Sequence, residues 1–574
     1  MLTLLNVFGP WAGLTGNLNY GQTLVKDQAA KLALDILGRV PAEYDAIIVG
    51  GGHNGLATAA YLGRAGLRTL VLERRNVLGG AAVSEHPWPR YTVSTLSYVL
   101  SLMPPEVIRE LELHRHGLTL YPLAADYYVP FPDGSHLLLT KDPAQATAEI
   151  GKFSKNDADV WPEFSAYLAK IARLVRPLLL MTPPAVGAKS PKDLLELARF
   201  AWKLKGLDVK STGDFVKVMT LSVAELLDEW FESPQVKAAR CVSGAIGTYG
   251  GPYTPGTAYV LLHHYIGEID GQMAEWAFVR GGTGAVSQAI ADDATEHGAE
   301  IRTGARVGRI LVENNQAVGV ALTDGTEVRG RAVISNAHPK ITFCELVESN
   351  QLPPDFVRAI DRYKTRSGTV KVNLALGELP RFDGLEPEDS MTAARSFIQL
   401  CDSMEYLERA FDDAKYGRPS AAPYSDGVLP TIVDDSLAPK EKHLMSCFTQ
   451  YVPSSWSAAP HRDELEAYAD RVVDGYARFA PNIKGAIEHR QVLGPYDMEQ
   501  EYGLVGGNIM HGDLTLDQLF SWRPVAGYAD YRTPIQGLYL CGSGTHPGGG
   551  ISGINGRNAS REILKDLRGT RTRK

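Results

Sequence analysis

Gly50, Gly52 and Gly55 stand in G-x-G-x-x-G spacing, and Glu73 follows roughly 20 residues on. The first glycine of such a set permits a tight turn. The second lets the backbone approach a pyrophosphate, and the third lets a helix pack closely on a strand. An acid at that distance accepts hydrogen bonds from ribose hydroxyls. These residue types point to capture of a dinucleotide, with its phosphates held by unpaired N–H groups at a helix start. A bare glycine motif is weak, so the surrounding elements decide.

Those elements have the required form. Ala46 to Val49 is a short apolar run that reads as a buried parallel strand. Leu56 to Ala65 is rich in Ala and Leu and reads as a helix, ended by Gly66. Leu67 to Leu72 is a second apolar strand, closed by Glu73. After the acid come Arg74, further loop residues and the pair Gly79-Gly80. That arrangement resembles the extended fingerprint of FAD-binding oxidoreductases, and the trailing pair is unusual in NAD-dependent dehydrogenases. Glu73 also opposes a 2′-phosphate by charge, a point that the neighbouring Arg74 weakens. His53 and Asn54 lie in the glycine loop, either reaching the cofactor or simply tolerated there, the second being commoner.

The end of the chain offers a second cradle. Leu538 to Gly542 reads as a buried strand, Ser543 to Gly550 as a loop, and Ile551 to Leu564 as a glycine-punctuated helix. A glycine loop before a helix suits a phosphate or the electron-rich edge of a reduced flavin. Between the two cradles, Gly281 to Gly284 opens a helix over 285–296. Strands follow at 299–303, 306–313, 317–322 and 326–329, with Asp324-Gly325 as a hairpin turn and Ala332 to Ser335 as another buried strand. No second full G-x-G-x-x-G follows a buried strand, so no separate NAD(P)H domain is expected.

The fold expected is therefore α/β: a discontinuous Rossmann-like domain from 44–120, 280–345 and 530–574. A second, α+β domain of mixed sheet and helices takes 121–279 and 346–529, and 1–43 is an N-terminal extension. In the second domain, 127–131 and 136–140 read as strands around the Pro132-Asp133-Gly134 turn, and Trp161 to Leu179 as a helix. Lys189 to Lys210 is locally basic and carries Trp202; it reads as a packed helix, with contact to an anionic membrane surface as the alternative. His263 and His264 read as packing residues, because sequence neighbours on a helix point apart. Further strands are expected at 370–376 and 443–451, and a helix at 463–479. His511, in a segment dense in Gly and polar groups, is the best single polar candidate for the reaction cavity, with a structural histidine equally expected. Arg523 is a weaker candidate, for substrate or flavin charge.

Composition narrows the class. The 574 residues carry a formal net charge of −8, which disfavours nucleic acid as a partner. Hydrophobic and charged shares of 44% and 22% are those of a globular chain. No apolar run reaches the roughly 18 residues of a membrane-spanning helix. The 5 cysteines (241, 344, 401, 447 and 541) are scattered, so neither a disulfide framework, a structural zinc site nor the local dithiol of a flavin disulfide reductase is expected; all are read as buried free thiols. Residues 1–43 lack the pattern of a secretory signal; a docked extension is favoured over a mitochondrial presequence.

Taken together, the 50–80 fingerprint, Gly281 to Gln288 and the run Leu538 to Asn558 resemble the phytoene desaturase and retinol saturase-like branch of the FAD-dependent amine oxidase superfamily. The resemblance covers about 43–568. It implies FAD, held by Gly50, Gly52, Gly55, Glu73, Arg74, Gly79 and Gly80 at the front, by the Val307 backbone at the adenine end, and by Gly542, Ser543, Gly549, Gly550 and Ile551 at the back. It implies redox or isomerisation chemistry at C–C bonds of a hydrophobic, isoprenoid- or lipid-like substrate. The flavin would carry the hard step, with His511 as acid or base if one is used, and oxygen or a quinone as acceptor. No metal is called for. Peripheral membrane contact is compatible with such a substrate; a bacterial protein would be cytoplasmic or peripheral, an animal one mitochondrial. The rival expectations are a flavin amine oxidase, favoured by an anionic or polar pocket, and a flavoprotein that mainly binds a partner.

Overall fold

The computed structural model describes residues 43–184 and 209–571. The extension at 1–42 and most of the expected basic helix at 189–210 lie outside them; a helix, Val209–Thr220, begins at the latter's end.

A five-stranded parallel sheet carries the glycine motif. Its strands, in spatial order, are Glu300–Arg302, Thr69–Leu72, Ala46–Val49, Val333–Ser335 and Leu538–Leu540. They come from the front, middle and end of the sequence. Both faces are covered, which is why these strands read as unbroken apolar runs. On one face lie the helices His53–Arg64, Gly284–Glu296 and Ile554–Arg571, through Leu56, Ala60, Ile290 and Ile563. On the other lies a three-stranded antiparallel sheet, Val307–Glu313, Gln316–Leu322 and Glu327–Arg329, through Ile310 and Val320.

The first helix ends as its sequence requires. Gly66 takes φ +80°, its N–H donates to Gly63 O at 2.8 Å, and Leu67 N–H donates to Leu62 O at 3.1 Å. That pair of bonds satisfies the last carbonyls and turns the chain into the second strand. At the other end of the chain the helix begins at Ile554, not at 551. Gly553, at φ +66°, puts a left-handed residue inside the expected span, so 551–553 belongs to the loop.

The second large sheet has seven strands, in the order Ile487–Leu493, Thr369–Leu376, His443–Gln450, Tyr424–Val428, Phe397–Leu400, Ala125–Pro130 and His136–Thr140. Every ladder is antiparallel except the one joining Phe397–Leu400 to Ala125–Pro130. One face packs on the helix Arg462–Ala477 through Val370, Val372, Leu374, Tyr468 and Val472. The opposite face looks toward the glycine motif. Beside it, the helices Lys155–Leu179, Val223–Asp228, Pro234–Cys241 and Thr257–Tyr265 build an apolar wall through Trp161, Phe164, Leu226 and Leu261.

One thiol departs from the sequence expectation. Cys344 is exposed, on the helical turn Ile341–Leu346, with its Sγ 3.7 Å from Asp361 Oδ1; the other four are buried.

Candidate active site

A cavity of about 300 Å³ runs from the glycine motif to the inward face of the mixed sheet. At one end the backbone forms a cradle. The helix beginning at His53 has Gly52 before it, with no side chain capping that end and no acid in the first turn. Its leading N–H groups are thus left for an anion. Gly52 pairs with Gly79, and a Cβ at Gly52 would stand 2.8 Å from Asn336 Nδ2. Gly55 does not line the cavity; a Cβ there would lie 2.3 Å from Gly50 O, so it sets the helix close against the strand. Glu73 Oε2 accepts from Gly51 N–H at 2.7 Å and Oε1 from Arg75 N–H at 2.8 Å. These bonds fix the carboxylate at the cavity wall. Arg74 lines the same end and donates to Gln500 O and Glu501 O at 3.0 and 2.9 Å, tying the cradle to the helix Pro495–Tyr502.

The C-terminal loop closes over this cradle. Asn54 Nδ2 donates to Ser543 Oγ at 3.1 Å, and its Oδ1 is buried with no hydrogen-bond partner among the described residues. His53 Nε2 lies 3.0 Å from Gly550 O, so this nitrogen carries the proton and donates. Burial pushes His53 down to about 4, which keeps it neutral.

The far end is a chamber of rings. Tyr98, Tyr127, Trp276, Phe397 and Phe448 line it, in edge and stacked pairs with centroids 5.6 to 6.1 Å apart. Its floor is the mixed sheet, where Lys371, Phe448 and Asp426 lie opposite one another on three neighbouring strands. Lys371 Nζ donates to Asn373 Oδ1 at 2.9 Å and to Ser446 Oγ, and sits 5.1 Å from the Tyr98 ring centroid. Desolvation lowers Lys371 to about 7. Asp426 Oδ2 accepts from Tyr424 Oη–H at 2.5 Å, while Oδ1 is buried with no hydrogen-bond partner among the described residues. Desolvation raises Asp426 to about 7, against the opposing effect of that hydrogen bond.

Residues 55–564 match the family model described as flavin containing amine oxidoreductase. The chain belongs to that family. It is 41% identical to "Pyridine nucleotide-disulfide oxidoreductase domain-containing protein 2" of Rattus norvegicus, over 92% of this chain and 95% of the other. It is 26% identical to a lycopene-forming phytoene desaturase of Pseudescherichia vulneris, over 91% of this chain and 99% of that one. Among solved structures, cyclohexylamine oxidase from Brevibacterium oxydans superposes with TM-score 0.54 at 18% identity, covering 92% of this chain and 99% of that one. The last likeness concerns the fold.

This family member is an FAD-dependent oxidoreductase, and its residues fit the cofactor. The uncapped helix start and the close-set Gly52, Gly79 and Gly80 suit a pyrophosphate, and Glu73 is placed for a ribose. Gly50, Arg74, Val307, Ser543, Gly550 and Ile551 also face the cavity. Gly542 and Gly549 lie behind its wall, where a Cβ would meet Asn336 O and Met510 Cα at 2.5 and 2.4 Å. The described elements include one parallel sheet of this type; the other large sheet is mixed.

The two reaction candidates divide. His511 reaches the cavity, with Nδ1 unpartnered among the described residues, but burial and then the Arg523 charge push it down to about 3. At neutral pH it is an uncharged imidazole and a poor base. Arg523 does not reach the cavity. It is 0% exposed and spends its donors on backbone: Nη2 on Ser543 O and Met510 O, Nη1 on Gln518 O. It locks loops together, because a buried guanidinium needs many acceptors. Lys371 and Asp426 are the residues that sequence reasoning passed over. The signal for Lys371 was the alternation of Val370, Lys371, Val372, Asn373, which reads as a strand with one wet face; Asp426, in Tyr424–Val428, carried no such pattern. Here that face meets a cavity.

Proposed function

We propose that this protein removes hydrogen from C–H bonds of a hydrophobic, isoprenoid- or lipid-like substrate, in the manner of a dehydrogenase or desaturase, and passes the electrons to oxygen or a quinone. The observation that carries this reading is the ring-lined chamber continuous with the cofactor cradle. Apolar walls strip water from a hydrocarbon, and ring faces hold it flat. The likeness to a phytoene desaturase supports the same reading. Bound FAD supplies the hydride acceptor. The chain's own residues supply position and polarity: Tyr98, Phe397 and Phe448 orient the skeleton, and the two titratable floor residues, Lys371 and Asp426, can hold or release a proton near pH 7.

One observation favours a second reading. Asp426 is an acid in the chamber, and an acid suits an amine, so oxidation of an apolar amine is the rival. Lys371 on the same floor counts against it, since two cations would oppose each other. An anaerobic absorbance titration of the FAD-loaded protein separates the two. Carotenoid and lipid extracts should bleach the oxidised flavin band, and hydrophobic amines, NADH and NADPH should not. Bleaching by amines alone would install the rival reading; rapid bleaching by NADPH would overturn the expectation that no nicotinamide domain is needed.

A further inference from the structure

Resting on the dehydrogenation reading, we propose that Asp426 faces the positive charge left on the substrate when hydride departs, and takes the proton that completes the new double bond. Its carboxylate lines the chamber with an oxygen to spare. Oδ2 is held by Tyr424, and Oδ1 is buried with no hydrogen-bond partner among the described residues. An apolar enclosure makes such an oxygen costly to bury, so a group that meets it during the reaction explains its retention. The other chamber groups are less suited. Lys371 already donates to Asn373 and Ser446. His511 is held far too low to keep a proton, and His264 Nδ1 is engaged with Val260 O at 2.8 Å.

The balance is simple. The electron pair of the first C–H bond leaves with the hydride to FAD, the oxidant. The pair of a neighbouring C–H bond becomes the π bond, and its proton passes to Asp426 Oδ1. Between the two events the skeleton is a cation, and Tyr98, Tyr127, Phe397 and Phe448 turn a ring lining toward it. Ring faces and a carboxylate both stabilise positive charge, and more so in a dry chamber. Asp426 sits near neutrality, so it can be ionised before the step and protonated after it.

The titratable groups that feel Asp426 come from several packed elements. Tyr98, Tyr127, Tyr424, Tyr476 and Cys447 are all pushed upward by burial and stay neutral across the working range. Arg240 and Asp126 act on Tyr127 from further out. Lys371, across Phe448, titrates in the same range and needs its own control.

The test uses the FAD-loaded protein and two probes: farnesyltrimethylammonium, charged at every pH, and its neutral isostere with carbon in place of nitrogen. Binding is read from the shift of the oxidised flavin band. The cation should bind about ten-fold tighter at about pH 8.5 than at about pH 5.5, and the isostere equally at both. Asp426→Asn, made together with Lys371→Met so that no second floor residue titrates in this range, should abolish the pH dependence for the cation, with the isostere again equal at both pH values. Tyr424→Phe should move the midpoint to higher pH, because it removes a hydrogen bond that favours the carboxylate, and it carries the test if Asp426→Asn loses FAD. Lys371→Met should retain the dependence. If the isostere binds and Asp426→Asn matches the parent with the cation, the proposal is overturned and the dehydrogenation reading stands. Binding of neither probe sinks both.

Discussion

Lys371 and Asp426 stand on either side of Phe448 in one rank of the mixed sheet, and both face the cavity. Adjacent strands lie about 4.8 Å apart, so the two Cα atoms are separated by roughly 10 Å, with a ring between. Neither group serves as the other's close counter-ion. Burial, opposed at Asp426 by the Tyr424 hydrogen bond, drives the acid up and the base down until both reach about 7. Their consequences for stability run in opposite directions with pH.

For Asp426 the folded value, about 7, lies above the unfolded value of roughly 4. A raised value means that stability is full below about pH 4 and is lost as pH rises through about 7. Asp426→Asn removes that loss. The variant should exceed the parent in stability by about 2–4 kcal/mol at about pH 8, with the gap shrinking steadily toward about pH 5. Denaturant unfolding of the FAD-loaded proteins across this range measures it; a gap independent of pH would refute ionisation as the source.

For Lys371 the folded value of about 7 lies below the unfolded value of roughly 10.4. The cost of burying the ammonium is full below about pH 7 and disappears as pH rises toward about 10. Lys371→Met should therefore stabilise by about 2–4 kcal/mol at about pH 6 and by progressively less above about pH 7. Asn373 Oδ1 and Ser446 Oγ keep their own hydrogen bond, 2.9 Å, so the loss of Nζ does not orphan them. The same unfolding series checks this, and a gain that grows with pH would contradict the assignment.

These two residues also mark the boundary of what the sequence discloses. The parallel sheet is legible because Ala46–Val49, Val333–Ser335 and Leu538–Leu540 are buried on both faces and read as unbroken apolar strands, with glycines beside them. The strand Thr369–Leu376 alternates, and an alternating pattern states only that its faces differ. It does not distinguish water from a dry chamber, because both accept polar side chains at some cost. Arg523 fails for the converse reason: a charged residue in a loop reads as available, while its carbonyl partners at 510, 518 and 543 lie on segments whose approach no local pattern encodes.

The glycine motif yields a contrast within one helix. At Gly55 an added Cβ would meet the backbone oxygen of Gly50 at 2.3 Å, and the backbone has nowhere to go. At Gly52 it would meet the end of the Asn336 amide at 2.8 Å, which can swing away into the cofactor space. Gly55→Ala should destabilise even the FAD-free protein, by about 1–3 kcal/mol. Gly52→Ala should melt close to the parent without FAD, yet bind FAD at least about ten-fold more weakly. Thermal melts with and without FAD, together with FAD retention on gel filtration, read both effects. Equal loss of stability in the two FAD-free variants would sink the division of labour.

Arg523 supplies the sharpest test of the back wall. Its guanidinium gathers carbonyls from Met510, Gln518 and Ser543, so one side chain joins the His511 segment to the loop that closes over the cofactor. Arg523→Met leaves those acceptors without their charged donor and should cost about 3–5 kcal/mol. Arg523→Lys should recover only part of this, because an ammonium cannot reproduce the planar fork. The charge has a second effect, since it helps hold His511 and His546 down. Both imidazoles should therefore titrate at higher pH in the Met variant, visible as a shift in their ring-proton NMR midpoints. If Arg523→Met instead melts with the parent and only substrate capture suffers, the residue acts on substrate charge after all, as the sequence by itself suggested.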